Sequence, residues 1–193
     1  DRRFMDTALA RAYAALGSTA PNPAVGCVIV KDGRILAAAA TAAGGRPHAE
    51  TQALEIAGAG ARASSIYVTL EPCAHHGRTP PCAEALVAAG PSEVIIACRD
   101  PFAEVDGRGA AILIEAGVRV IEGVRQAAAE ALNAGFFETV RHGRALAVED
   151  ARAGLIDAEF ALQPGEARAQ ALGRAAAAGL TRVRLRPPHA TQR

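Results

Sequence analysis

The chain has 193 residues, half of them hydrophobic, a formal net charge of +1 and four cysteines. This length allows one domain of ordinary size and part of a second. The nearly neutral charge balance argues against nucleic-acid binding through a basic face, and every apolar run falls short of the ~18 residues of a membrane span. We therefore expect neither nucleic acid nor a membrane as partner. Few cysteines and no visible export signal favour a reducing, cytoplasmic location, where paired cysteines indicate metal binding or catalysis more than a disulfide.

The first forty residues predict a helix followed by a hairpin. Apolar side chains recur at helical spacing over residues 4–16, and Gly17 ends this helix. After a proline-containing loop, residues 24–30 form an apolar run of strand length. The run Lys31-Asp32-Gly33 has the composition of a tight turn, so residues 34–40 should return as an antiparallel strand.

From residue 48 onward, predicted helices and strands alternate. Helices are expected at 48–57, 82–89, 108–115 and 126–137, and strands at 65–70, 93–98 and 118–121. Alternation of this kind is typical of a mainly parallel sheet covered by helices. The sequence therefore predicts an α/β fold with a mixed five-stranded sheet, in which the first two strands are antiparallel and the rest mainly parallel.

The pattern weakens after about residue 143. Residues 144–193 hold one predicted helix, 166–178, and one possible strand, 181–185. This segment is too short to form a large core of its own. We therefore predict a domain of residues 1–143 and a short divergent tail of residues 144–193.

Two short runs contain the residues suited to chemistry. The first is His48-Ala49-Glu50, and the second extends from Glu71 to Cys82 and includes Cys73. One imidazole, two thiols and a spare carboxylate are the components of a catalytic zinc site with three protein ligands and one open position. Both runs fall beyond the carboxyl ends of predicted strands, where sheets of this type bind ligands. The sequence thus predicts Zn²⁺ on His48, Cys73 and Cys82.

Glu50 is predicted to move protons. It follows His48 by two positions on a helix, so its side chain diverges from the ligand and is poorly placed to bind the metal. In the first helical turn it can still reach a water at the open position, take its proton and deliver it to a ring and to departing ammonia. The H-x-E and P-C signature of zinc deaminases is present, but the second cysteine, Cys82, comes nine positions after Cys73 instead of three.

The cysteine pair allows two other interpretations. Cys73 and Cys82 form a disulfide in the first, which the absence of an export signal disfavours. In the second, the zinc is structural and His75 or His76 is its fourth ligand. A closed site of that kind has no open position for a water, so Glu50 would have no proton to transfer there.

The other two cysteines, and the two histidines between Cys73 and Cys82, are not predicted to take part in the catalytic chemistry. Cys27 and Cys98 lie inside apolar predicted strands and are expected to be small core residues. His75 and His76 are loop histidines, of which at most one is expected near a substrate.

Five segments together resemble a known family: 21–30, 48–50, 67–82, 99–101 and 132–137. They are similar to the deaminase half of the bifunctional diaminohydroxyphosphoribosylaminopyrimidine deaminase/reductases of riboflavin biosynthesis, over roughly residues 4–143. The long gap between Cys73 and Cys82 is typical of this family, unlike the short gap of cytidine and tRNA-adenosine deaminases. The resemblance implies a three-layer cytidine deaminase-like fold, zinc on His48, Cys73 and Cys82, and Glu50 as proton shuttle.

The resemblance also implies a substrate, the pyrimidine nucleotide 2,5-diamino-6-ribosylamino-4(3H)-pyrimidinone 5′-phosphate. Asn22 would contact it, Arg78 would lie near its phosphate, and Asp100 would line the pocket. His76 and Thr41 complete the implied set of substrate contacts.

Two positions depart from the family pattern. Thr41 stands where the family usually has a histidine, and Phe102 stands where an asparagine is expected. Both positions are substrate contacts in that pattern. A deaminase acting on another nucleobase or nucleotide is therefore an alternative, as is a catalytically silent zinc-binding paralogue.

The tail, residues 144–193, departs further from the family pattern. In the family a reductase domain follows, opening with a proline after Gly-Arg and later a Ser-Leu-Asp-Gly run. Here Ala145 follows Gly143-Arg144, and residues 154–157 replace the serine-led run. We expect a truncated reductase remnant that binds no NADPH, a homo-oligomeric assembly, and a separate reductase as partner.

Overall fold

The computed structural model describes residues 2–75, 80–102, 106–149 and 154–188. The helices are α1 (Arg2–Ala15), α2 (Ala49–Ala57), α3 (Cys82–Ala89), α4 (Arg108–Glu115), α5 (Gln126–Leu132), α6 (Ala134–His142) and α7 (Arg168–Ala177). The strands are β1 (Gly26–Lys31), β2 (Arg34–Ala40), β3 (Ser65–Val68), β4 (Glu93–Ile96), β5 (Arg119–Glu122), β6 (Leu146–Ala147), β7 (Ala158–Ala161) and β8 (Arg182–Arg186). Within these ranges no helix has both the length and the apolarity needed to cross a membrane.

The larger sheet has five strands in the order β2-β1-β3-β4-β5. Strand β1 pairs antiparallel with β2 and β3, whereas β3, β4 and β5 are parallel. Lys31 pairs with Arg34, and the turn between them has positive φ at Asp32 (51°) and Gly33 (72°), as in a type I′ hairpin. The predicted mixed α/β sheet is therefore confirmed.

Helices cover this sheet in two layers. Helix α1 packs on β1, β2 and β3 and contacts α5, while α2 packs on β1 and β2 and contacts α3, which contacts α4. The side chains of the central strands are almost completely buried, as at Val28, Ile66 and Ile96. Because both faces are covered, these strands have continuous apolar sequences instead of alternating ones. Cys27 and Cys98 are buried in this core, as expected.

One predicted helix, residues 126–137, is broken in two at Asn133. The buried side chain of Asn133 donates a hydrogen bond to the Ala24 carbonyl oxygen and accepts one from the Ala24 N–H, both over 3.0 Å. These backbone groups precede β1, where they lack a neighbouring strand. Since buried backbone groups without partners are costly, the asparagine is held between α5 and α6, and the prediction of one continuous helix was wrong.

The tail forms a second, smaller sheet of parallel strands in the order β6-β8-β7. Its core consists of Ala145, Ala175 and Val183, with α7 supplying the second of these. The helix and strand predicted here are present, while β6 and β7 were not anticipated. Arg182 ties the tail to α5 by donating a hydrogen bond to the Leu132 carbonyl oxygen (3.5 Å). Within the tail, the same side chain donates to the Leu155 carbonyl oxygen (2.9 Å).

Replacing Asn133 with alanine removes both hydrogen bonds to Ala24. We expect the free energy of unfolding to fall by about 2 kcal/mol, since two buried backbone groups lose their partners. Urea denaturation followed by circular dichroism measures this. Gln126→Ala, which removes an exposed hydrogen bond to Glu130 on α5, is the control and should change stability by less than about 0.5 kcal/mol. Equal losses for the two variants would contradict the role given to Asn133.

Candidate functional site

Three potential metal ligands converge beyond the ends of the sheet strands. His48 immediately precedes α2, Cys82 is the first residue of α3, and Cys73 lies in the segment after β3. Their ligand atoms all lie within 4.8 Å of one another. The Nδ1 atom of His48 is 3.3 Å from the Sγ atom of Cys82 and 3.7 Å from that of Cys73. Tetrahedral coordination at zinc's usual bond lengths places N and S ligands about 3.5 Å apart, so the spacing suits such an ion.

The start of α3 supports negative charge on Cys73. The backbone N–H of Cys82 donates to the Cys73 sulfur over 3.2 Å, at the positive end of the helix. Hydrogen bonds from the Cys82 thiol and from His48 lower the pKa of Cys73 to about 4, against the opposing effect of burial. The same hydrogen bond, together with burial, raises the pKa of Cys82, whose thiol keeps its proton. A metal cation that bound between these side chains would therefore displace the protons that they share.

Glu50 lies beside these ligands but does not join them. It is in the first turn of α2 and only 4% exposed, and its carboxylate is outside the group of mutually close ligand atoms found in the described residues. Burial raises the pKa of Glu50 to about 7. A carboxyl group with this pKa can both take up and release a proton near neutral pH.

A cavity of about 250 Å³ opens onto the cluster. The predicted site residues on its walls are Asn22, Thr41, His48, Glu50, Cys73 and Asp100. Cys82 lies behind them and is 3% exposed. Arg78 and His76 are outside the described residues, so their predicted contacts stay predictions.

Two of the predicted substrate-binding side chains, those of Thr41 and Asp100, are held in the cavity wall by hydrogen bonds to backbone groups. The hydroxyl of Thr41 accepts a hydrogen bond from the Val25 N–H (2.9 Å) and donates one to its carbonyl oxygen (3.4 Å). Asp100 accepts a hydrogen bond from the Phe102 N–H over 2.9 Å, and burial raises the pKa of Asp100 to about 6. Of these two side chains, Asp100 is the better placed to accept a hydrogen bond from a substrate.

Sequence reasoning gave no role to Glu71, which proves to organise the site. Its buried carboxylate accepts hydrogen bonds from the N–H groups of Gly107 (3.0 Å), Ala110 (3.2 Å) and Asp100 (3.4 Å). It therefore caps the start of α4 and ties the Asp100 loop to the segment leading into Cys73. The sequence feature that could have indicated this role is a charged residue placed directly after a buried strand and before Pro72.

The geometry of the cluster disfavours both alternative interpretations of the cysteines. All four cysteines are free, so Cys73 and Cys82 are not joined by a disulfide. His75 lines the cavity, but it is absent from the group of ligand atoms. Among the residues that the structure describes, no fourth side chain completes the group, which is the arrangement of an open site.

The lowered pKa of Cys73 leads to a measurable pH dependence. In metal-free protein its thiolate is present above about pH 5, so alkylation by iodoacetamide should change little between pH 6 and pH 8. An ordinary thiol would accelerate by roughly 75-fold over this range. Mass spectrometry should locate the modification on Cys73, and Cys73→Ser should abolish the fast reaction. A rate that rises with pH as for an ordinary thiol would contradict the hydrogen bonding described.

Comparison with known proteins supplies an independent line of evidence. Residues 1–98 match the family model of the cytidine and deoxycytidylate deaminase zinc-binding region. Riboflavin biosynthesis protein RibD of Escherichia coli K12 is 48% identical over 143 residues, which cover 74% of this chain and 39% of that protein. The diaminohydroxyphosphoribosylamino-pyrimidine deaminase of Buchnera aphidicola subsp. Schizaphis graminum is 40% identical over 143 residues, covering 74% of this chain and 97% of that protein.

A solved structure agrees with these relatives. The Thermotoga maritima diaminohydroxyphosphoribosylaminopyrimidine deaminase/5-amino-6-(5-phosphoribosylamino)uracil reductase superposes with a TM-score of 0.72 at 37% identity, over 83% of this chain and 44% of that one. The chain spans less than half of this structure and of E. coli RibD, but nearly all of the Buchnera deaminase. The predicted cytidine deaminase-like fold is confirmed. The chain belongs to the cytidine and deoxycytidylate deaminase family, and within it to the diaminohydroxyphosphoribosylaminopyrimidine deaminases of riboflavin biosynthesis.

Proposed function

We propose that this chain catalyses the zinc-dependent hydrolytic deamination of 2,5-diamino-6-ribosylamino-4(3H)-pyrimidinone 5′-phosphate. The observation that carries the proposal is a buried carboxyl group, Glu50, beside a three-ligand cluster at the floor of a cavity. The names of the relatives support the choice of substrate. In the reaction, water replaces an amino group on a ring carbon and ammonia leaves.

His48, Cys73 and Cys82 are proposed to hold zinc. Two sulfurs and one imidazole suit zinc and exclude magnesium and calcium, which prefer oxygen ligands. The Nδ1–Sγ distances of 3.3 Å and 3.7 Å fit the spacing of ligands around one such ion. When bound, zinc supplies Lewis acidity, lowering the pKa of water toward ~7.

Glu50 is proposed to be the general acid and base. Its carboxylate removes the proton of the attacking water, passes it to the ring nitrogen, and returns a proton to the departing amine. Each transfer needs a group whose pKa is close to the working pH, and burial provides this by raising the pKa of Glu50 to about 7.

Recognition of the base is assigned to the cavity walls. Asn22 offers an amide and Asp100 a carboxyl group, both suited to the amino and carbonyl groups of a diaminopyrimidinone. Phe136 lines the same cavity and offers a ring face for the planar base. The contacts assigned to Arg78 and His76 are part of this proposal, as is a minor role for Thr41, whose hydroxyl is bound to Val25.

A second candidate substrate is another amino-substituted nucleobase or nucleotide. Two observations favour it: the hydroxyl of Thr41 is engaged by the backbone of Val25, and the exposed ring of Phe102 stands at the cavity rim. A panel that includes cytidine, guanine and the diaminopyrimidine nucleotide separates the two candidates. Preference for either of the first two compounds would favour the second.

The tail and the assembly are included in the proposal. We assign residues 144–193 to a divergent reductase-like segment that binds no NADPH, because Ala145 and residues 154–157 depart from the pattern with which the family's reductase domain opens. A cytoplasmic location and a homo-oligomer complete the proposal.

Replacing Glu50 with glutamine tests the catalytic role. We expect kcat/KM for ammonia release to fall about a thousandfold, because proton transfer is lost while shape is kept. Glu55→Gln, on the exposed face of α2, is the matched control and should stay within about twofold of the wild type. Wild-type protein that contains zinc but releases no ammonia from the diaminopyrimidine nucleotide would refute the proposed function.

Zinc content tests the ligand assignment. Elemental analysis should find one zinc per chain in the wild type and almost none in His48→Ala, Cys73→Ser or Cys82→Ser, since two ligands bind zinc far more weakly than three. Cys27→Ser, in the core, is expected to keep its zinc. Chelation should stop ammonia release and added zinc should restore it. Retention of zinc by all three ligand variants would contradict the assignment.

A further inference from the structure

Arg46 stands at the rim of the active-site cavity. It is exposed, and it is the only lysine or arginine among the described residues that line this cavity. The same lining contains three carboxyl groups, those of Glu50, Glu71 and Asp100. A substrate with a dianionic phosphate would be repelled by these acids unless a cation lay close to its phosphate.

The size of the cavity places the phosphate near its rim. At about 250 Å³ the cavity is smaller than the ~300–1,000 Å³ typical of pockets that enclose a whole ligand. The reacting ring must approach Glu50 and Cys73 at the floor, so the ribosyl phosphate extends outward. The exposed lining residues on that side are Arg46, His75 and Phe102.

The loop that carries Arg46 is fixed by backbone hydrogen bonds. The Ala42 N–H donates to the Pro47 carbonyl oxygen over 3.1 Å, and the Gly44 N–H donates to the Ser18 carbonyl oxygen over 2.8 Å. Gly45, with φ of +88°, lies so close to the Asn22 amide that a Cβ atom there would overlap it. The backbone on both sides of Arg46 is therefore held against the cavity wall.

Arg46 also lies close to the floor of the site along the chain. It precedes His48 by two residues, and both side chains line the same cavity. A nucleotide that extends from the His48 end of the cavity to the rim therefore passes Arg46.

We propose that Arg46, in addition to the Arg78 contact already proposed, binds the 5′-phosphate of the substrate and contributes to the preference for a nucleotide over the corresponding nucleoside. A guanidinium group suits this task because it stays charged and can donate two parallel hydrogen bonds to phosphate oxygens. The inference rests on the proposed function, since it adds a phosphate-binding residue to that site. It assigns Arg46 a role in specificity and none in the proton transfers.

Steady-state kinetics with two substrates tests the role of Arg46. The diaminopyrimidine nucleotide and its dephosphorylated nucleoside are compared in zinc-loaded wild type, Arg46→Ala and Arg46→Glu. For the nucleotide, KM should rise about tenfold in the alanine variant and more in the glutamate variant, with kcat within about twofold. For the nucleoside, neither parameter should change in the alanine variant. Arg34→Ala, an exposed arginine at the hairpin turn, is the matched control and should behave as wild type.

Two kinetic results would overturn the inference: an unchanged KM for the nucleotide, or an equal rise for both substrates. If the wild type deaminates neither compound, the proposed function fails and Arg46 is judged by binding alone. Ribose 5-phosphate is then titrated into zinc-loaded protein by calorimetry. At least fivefold weaker binding to Arg46→Ala than to wild type would support the inference. Equal affinities, or no binding to the wild type, would overturn it.

Discussion

The active site depends on two helices that begin at the same point in space. Cys82 opens α3 and His48 immediately precedes α2, so each ligand is fixed by the first turn of a helix. The Cys82 N–H also donates to the Cys73 sulfur, which joins the segment after β3 to the start of α3. Negative charge on sulfur is stabilised at this position by the helix end. The cluster is thus held together before any metal is considered.

Two buried glutamates near this cluster have opposite roles because their surroundings differ. Glu71 accepts hydrogen bonds from three backbone N–H groups and so fixes the Asp100 loop and the start of α4. Burial is the largest influence on Glu50 and raises its pKa to about 7. A carboxylate saturated with donors has a structural role, whereas one whose charge is poorly compensated can exchange protons. Residue type alone does not distinguish the two.

Under the proposed function, the cavity separates chemistry from recognition along its depth. The three potential metal ligands and Glu50 lie at the inner end, and the exposed Arg46 and Phe102 lie at the rim. Changes at the rim can therefore alter the preferred substrate without disturbing the proton-transfer group. This arrangement fits a family whose members share a zinc-binding region and act on different amino-substituted rings.

The sequence by itself determined the mixed sheet, the order of helices and strands in residues 1–143, and the three potential metal ligands that converge in the structure. These features follow from local patterns: apolar periodicity, a turn with the composition of Asp32-Gly33, and ligand types at particular spacings. The cytidine deaminase-like family was also accessible, because the motif around Cys73 and Cys82 is long and specific. The comparisons confirm it.

Only the tertiary structure decided the remaining features, since they depend on contacts between residues distant in the chain. Asn133 breaks a predicted helix because it must satisfy the backbone of Ala24, 109 positions away. Glu71 gains its role from N–H groups 29 to 39 positions later. The burial that raises the pKa of Glu50 requires the whole domain to be folded around it. Such long-range satisfaction of polar groups leaves no periodic trace in the sequence, so it becomes visible only when the chain is packed.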